Sequence, residues 1–187
     1  KHQYSLKEFN QQADFVWELA DKIHHFGEGL SEAERYYRHA ISLSPQSPLA
    51  NMSRKRILPL YEQQQSDLAV QRLTELYYDI SNYSEHQQER LSFGIKSIQL
   101  LLNNRDKLKQ NTPTIIRHLG KIIELAETET EYEQLYNFSK TIELGENHTI
   151  SILKKWLDND WSTDDGRFEE LIALLNQNNN DINSAIE

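Results

Sequence analysis

Cysteine is missing from all 187 residues, which removes a disulfide framework, a thiolate metal centre and a cysteine nucleophile together. The redox compartment stays open, because a Cys-free chain suits either one. Six glycines and four prolines are too few turn formers for the many short strands of a sandwich or barrel. No apolar run approaches the roughly 20 residues of a membrane span, and there is no signal-like leader, so membrane insertion is not expected. Basic residues are also in deficit, with 20 Lys and Arg against 29 Asp and Glu and a net charge of -9. Neutralising phosphates needs clustered cations, so nucleic acid is not an expected partner, and a basic protein surface suits this charge better. There is no Gly-rich nucleotide loop, nucleophile elbow, kinase signature or His-Glu-x-x-His pattern. No catalytic residue and no cofactor is therefore assigned.

What the chain has in quantity is helix punctuation. Ser5 with Glu8, Ser31 with Glu34, Ser84 with Gln87 and Thr130 with Glu133 have capping-box spacing. Ser47-Pro48 and Thr112-Pro113 put a hydroxyl at the cap and a proline at the first helical position, where its missing N–H does no harm. Gly27 and Gly29 are stops for the first helix, and Gly145 for a later one. Between starts and stops, apolar residues recur at threes and fours, as in Phe9, Phe15, Val16, Leu19 and Ile23, and in Leu68, Leu73, Leu76 and Tyr77. The pattern predicts helices over 5–26, 31–44, 48–64, 67–82, 85–103, 113–127, 130–144, 148–159, 164–177 and 180–186. Pro59 should kink or break the third, because it removes a backbone bond and crowds the preceding turn.

The expected class is all-α. Short connections imply antiparallel neighbours, as in an α-solenoid or an irregular bundle. A polar joint at 103–112 suggests a boundary between residues 1–103 and a divergent helical region, 104–187, although one continuous body is equally allowed. The chain starts at Lys1 without Met, from which a piece of a longer protein is expected.

Trp17, Ala33, Tyr37, Ala40 and Pro45 carry a small-and-large code: alanines where two helices must approach, a tyrosine filling the space, and a proline after the second helix. On these residues, 14–47 resembles a tetratricopeptide repeat, a helix-turn-helix unit of about 34 residues. A weaker copy begins near Ala50, with Leu60 and Tyr61 and then Ala69, Leu73 and Leu76, and fades by about residue 83. The chain departs from the family at His24, where Tyr is usual, and at Asp21 and Glu28, where small residues are usual. The resemblance implies TPR-like antiparallel helix-pair repeats whose first helices line a groove for an extended or helical peptide. Residues expected to face that groove are Phe15, Glu18, Lys22, His25 and Phe26, then Asn51, Arg54, Leu58, Tyr61 and Glu62. The family's clamp for a terminal carboxylate needs Lys and Asn where this chain has Glu18 and Lys22, so that activity is not expected.

Other clusters have plain readings. His24 and His25 point about 100° apart on a helix and cannot share a metal without help from elsewhere, so no metal site is assigned. Glu127, Glu129, Glu131 and Glu133 read as a solvated acidic face or a dock for a basic partner. Asp158, Asp160, Asp164 and Asp165, around Trp161, lack the EF-hand order and read as helix caps. The expected function is a non-catalytic protein-protein interaction scaffold or adaptor. Alternatives are a helical appendage of a larger enzyme, such as a transferase, or a self-associating structural protein. A soluble, cytoplasmic setting is preferred, with the compartment itself left open.

Overall fold

The structure, a computed structural model, describes residues 6–26, 29–64, 66–104, 111–142, 146–159 and 166–184. Among the described residues there are nine helices and no strand: α1 (Leu6–Phe26), α2 (Leu30–Leu43), α3 (Pro48–Glu62), α4 (Asp67–Tyr83), α5 (Gln87–Asn103), α6 (Asn111–Leu125), α7 (Glu129–Thr141), α8 (Glu146–Asp158) and α9 (Arg167–Ser184). No helix is long and apolar enough to cross a membrane. Contacts divide the chain into two compact units, residues 1–111 and 112–187.

In the first unit each helix packs on the one before it, from α1 to α5, and α1 also touches α3. Cross-helix bonds show the antiparallel sense. Ser44 of the α2 cap donates to Asn10 Oδ1 while Tyr37 reaches Asp21, so α2 runs back along α1. Likewise Tyr77 donates to Glu62 while Arg54 reaches Asp79 between α3 and α4. The shared core is built from Ala20, Ala33, Tyr37, Ile57, Leu58, Leu73, Leu76, Tyr77 and Ile80, with Trp17 and Tyr61 packed partly against it. Ala33, Tyr37 and Ala40 are fully buried, which brings α2 close to its neighbours with one aromatic ring filling the gap.

The second unit is organised around Trp156 on α8. Tyr132 of α7 stacks on it with ring centroids 6.5 Å apart, Tyr136 meets it edge-on at 5.9 Å, and the Arg167 guanidinium sits 4.0 Å over its ring. Tyr136 and Lys140 both reach Glu170, which ties α7 to α9.

Several expected starts differ. Ser47 caps α3 by accepting from the Ala50 amide at 3.1 Å, with Pro48 in the first turn, as the dipeptide predicts. By contrast, Ser31 lies inside α2, and Ser84 stands two residues ahead of the α5 cap and accepts from the His86 amide at 3.2 Å. Gly29, at φ 88°, is the cap of α2, and His86 precedes α5. Ser84 instead closes α4 and donates to Glu89. The box expected at Thr130 lies two residues earlier: Thr128 accepts from Glu131, and Glu131 accepts from the Thr128 amide at 3.0 Å. Glu131 is thus a buried cap rather than part of a solvated face, while Glu127, Glu129 and Glu133 are exposed. Ser66, which carries no box partner in sequence, caps α4 through the Ala69 amide. Ser5, Gly27, Gly145, Asp160, Trp161, Asp164 and Asp165 lie outside the described residues.

Pro59 does not break α3. It is exposed, and the buried Ile57 and Leu58 beside it hold the helix in place. The two last predicted helices are one, α9, since the Asn run between them contains no breaker.

Arg54 is the costly element of the core. Its side chain is 2% exposed, with Nε 3.3 Å from Asp79 Oδ2 and the guanidinium 4.8 Å over the Tyr83 ring, and its Nη1 is buried without a partner. Burial pushes the guanidinium below its usual range and the Asp79 carboxyl above its own, so desolvation outweighs their attraction. Arg54→Met is expected to stay within about 1 kcal/mol of the parent, because it removes a buried charge and keeps the stem. Asp79→Ala should destabilise by roughly 2–3 kcal/mol, discounted from a fully buried pair because Asp79 is 43% exposed. Urea unfolding of both variants checks the asymmetry, and equal losses would refute it.

His118 on α6 is buried, which, with Arg117 alongside, lowers its pKa from 6.5 to about 4. The folded imidazole is neutral at pH values where the unfolded one takes a proton. Its stability contribution is complete above pH 6.5 and is lost as pH falls towards about 4, on the order of 3 kcal/mol over that window. His118→Gln should flatten the fall in stability between pH 6.5 and 4 by about one proton, measured by denaturation at a series of pH values.

Candidate functional site

The first helix is long enough for two distinct sides. Ala13 and Ala20 are buried and Trp17 and Ile23 pack partly against the core, whereas Phe15, Glu18, Lys22, His25 and Phe26 are exposed. Positions 15, 18, 22 and 25/26 are spaced three and four apart, so they form one stripe. Phe15 is 69% exposed and Phe26 90%, about 16 Å apart along the helix. Below Phe15, the stripe opens into a cleft of about 380 Å³ lined by Glu8, Gln11, Gln12, Phe15 and Val16 of α1 and by His39 and Leu43 of α2.

The α3 half of the expected groove is placed differently. Asn51, Arg54 and Leu58 are buried. Tyr61 is half-buried, donates to Glu34 and accepts from Arg38 Nη2 at 2.6 Å, while Glu62 accepts from Tyr77 at 2.9 Å. These α3 residues are engaged by neighbouring helices, since α3 packs on both α2 and α4 and Lys55 is joined to Glu89 of α5. The structure brings the α1 residues together and buries Asn51, Arg54 and Leu58.

A polar corner lies beside the stripe, where α1, α2 and α3 meet. Asp21 is its centre: the buried Tyr37 donates to Asp21 Oδ1 at 3.3 Å, Arg56 Nη2 lies at 3.6 Å from the same oxygen, and His25 Nε2 at 3.5 Å. The Tyr37 hydroxyl also lies 3.4 Å from His24 Nδ1, and the rings of His24 and His25 stack at 4.7 Å, inclined by 15°. Burial, with Asp21 next in importance, pushes the Tyr37 hydroxyl up to about 12. Burial, the neighbouring His25 and Arg56 together hold His24 below its usual range, with Asp21 opposing them. The helical spacing of Asp21, His24 and His25 was legible in sequence, but the arrival of Tyr37 and Arg56 depends on how α2 and α3 dock.

With these features the chain is an all-α protein of neighbour-packed helices. Neither a family model, nor a curated protein, nor a solved structure matches it.

Because Arg56 works against protonation of His24, Arg56→Gln should raise the His24 pKa. Proton NMR titration of the imidazole resonances measures this, and an unchanged or lower value would contradict the arrangement.

Proposed function

We propose that this chain is a non-catalytic interaction scaffold of tetratricopeptide-like helical repeats, holding an amphipathic segment of a partner along α1 and its cleft with α2. The observation that carries the reading is the pair of exposed phenylalanines on one face of a helix whose opposite face is packed. Soluble chains seldom leave large aromatic rings in water along one stripe, and such rings bury much area on binding for little entropy. The buried Ala33, Tyr37 and Ala40 support the repeat kinship, since they occupy the close-approach positions of that code. The chain's net charge of -9 favours a partner segment that is basic beside its apolar stripe. Affinity then comes from the aromatic anchors, and the charge serves orientation and encounter rate.

The test is a displayed library of basic amphipathic helical peptides selected on the intact chain. Peptides so selected should lose roughly tenfold or more affinity for Phe15→Ala and Phe26→Ala, while the melting temperature of each variant stays near that of the parent because the rings are not core. Selected peptides that bind both variants and the parent equally would overturn the assignment of this face.

A further inference from the structure

Asp21, His24 and His25 occupy positions i, i+3 and i+4 of α1, so a carboxylate and two imidazoles leave one side of a rigid helix. Two adjacent histidines need a third group to close on an ion, and Asp21, one turn earlier, supplies it. One ligand atom from each of the three residues lies within 4.8 Å of the other two. His25 Nε2 and Asp21 Oδ1 stand 3.5 Å apart. Ligands held at about 2.0–2.1 Å around a tetrahedral zinc are separated by about 3.4 Å. This pair therefore already spans one edge of such a site, and His24 offers the third ligand atom of the cluster.

The support behind the three groups is of the kind metal ligands use. The Tyr37 hydroxyl, anchored on a buried ring, touches both Asp21 and His24 and restricts their orientation. Asp21 and His25 are partly exposed, at 29% and 46% of their side chains, which leaves a path for the ion and room for water. Two imidazoles and one carboxylate suit zinc-class transition ions, whereas calcium and magnesium call for a shell of oxygens.

We propose that Asp21, His24 and His25 form an open binding site for a zinc-class divalent ion, with water completing the coordination. Arg56 is the built-in competitor. Its guanidinium, 40% exposed, lies against Asp21 and turns towards solvent when the ion enters. Removing Arg56 therefore strengthens binding, a response that a purely structural salt bridge does not give.

The experiment is calorimetric titration of the full chain with zinc chloride near neutral pH. One site of micromolar affinity is expected. His25→Ala and Asp21→Asn should each weaken it by roughly tenfold or more. Arg56→Gln should tighten it several-fold, and His86→Ala, at an exposed position ahead of α5, should leave it unchanged. Cobalt substitution gives a second readout, because the visible bands of a tetrahedral ion should disappear in His24→Ala. His25 is exposed, so the His25→Ala variant keeps its fold, which circular dichroism checks. No binding up to millimolar zinc, or equal affinity in the parent, His25→Ala and Asp21→Asn, overturns the proposal.

Discussion

The first unit depends on how Tyr37 is used. Its ring is wholly buried where α1, α2 and α3 converge, beside the buried Ala33 and Ala40. The hydroxyl at the far end of the ring cannot be left unpaired in that setting, and it finds Asp21 and His24. One residue thus sets the spacing of three helices through its ring and the orientation of a polar corner through its oxygen. Asp21 in turn collects Arg56 from α3 and His25 from its own helix, so the corner reads as a consequence of core packing.

The same unit shows two ways of treating buried charge. Around Asp21 the groups are partly exposed, and water shares in their solvation. Arg54 is enclosed, paired through one nitrogen to a half-exposed carboxylate and lacking a partner for Nη1. Such a group does little for stability and much for register, because only one docking of α4 on α3 presents Asp79 and Tyr83 to it.

Helical class and most element bounds were legible because the three-and-four periodicity is strong and breakers are few. Caps were less so: Ser31 and Thr130 have the right chemistry and spacing, yet Gly29 and Thr128 serve, because docking decides which residue stands at the end of the first turn. On α1 the residues implied by the repeat resemblance fall on one exposed stripe, because their spacing of threes and fours keeps them on one side of the helix. On α3 the positions implied by the repeat resemblance are largely buried or bonded to other helices, because that helix packs on both α2 and α4. Arg54 was expected in the groove from the repeat resemblance, whereas it is buried and paired with Asp79. The convergence of Tyr37 and Arg56 on Asp21 joins residues up to 35 positions apart, which no local pattern encodes.

In the first unit, packing of each helix on its predecessor has a kinetic meaning. Contacts of this kind close short loops, and the entropy of closing them is small compared with that of joining distant strands. A unit so organised can acquire its native contacts in the order in which it leaves the ribosome, each new helix finding its platform already formed. During synthesis, the apolar side of α1 is the one that waits, until α2 arrives to cover Ala13, Trp17 and Ala20.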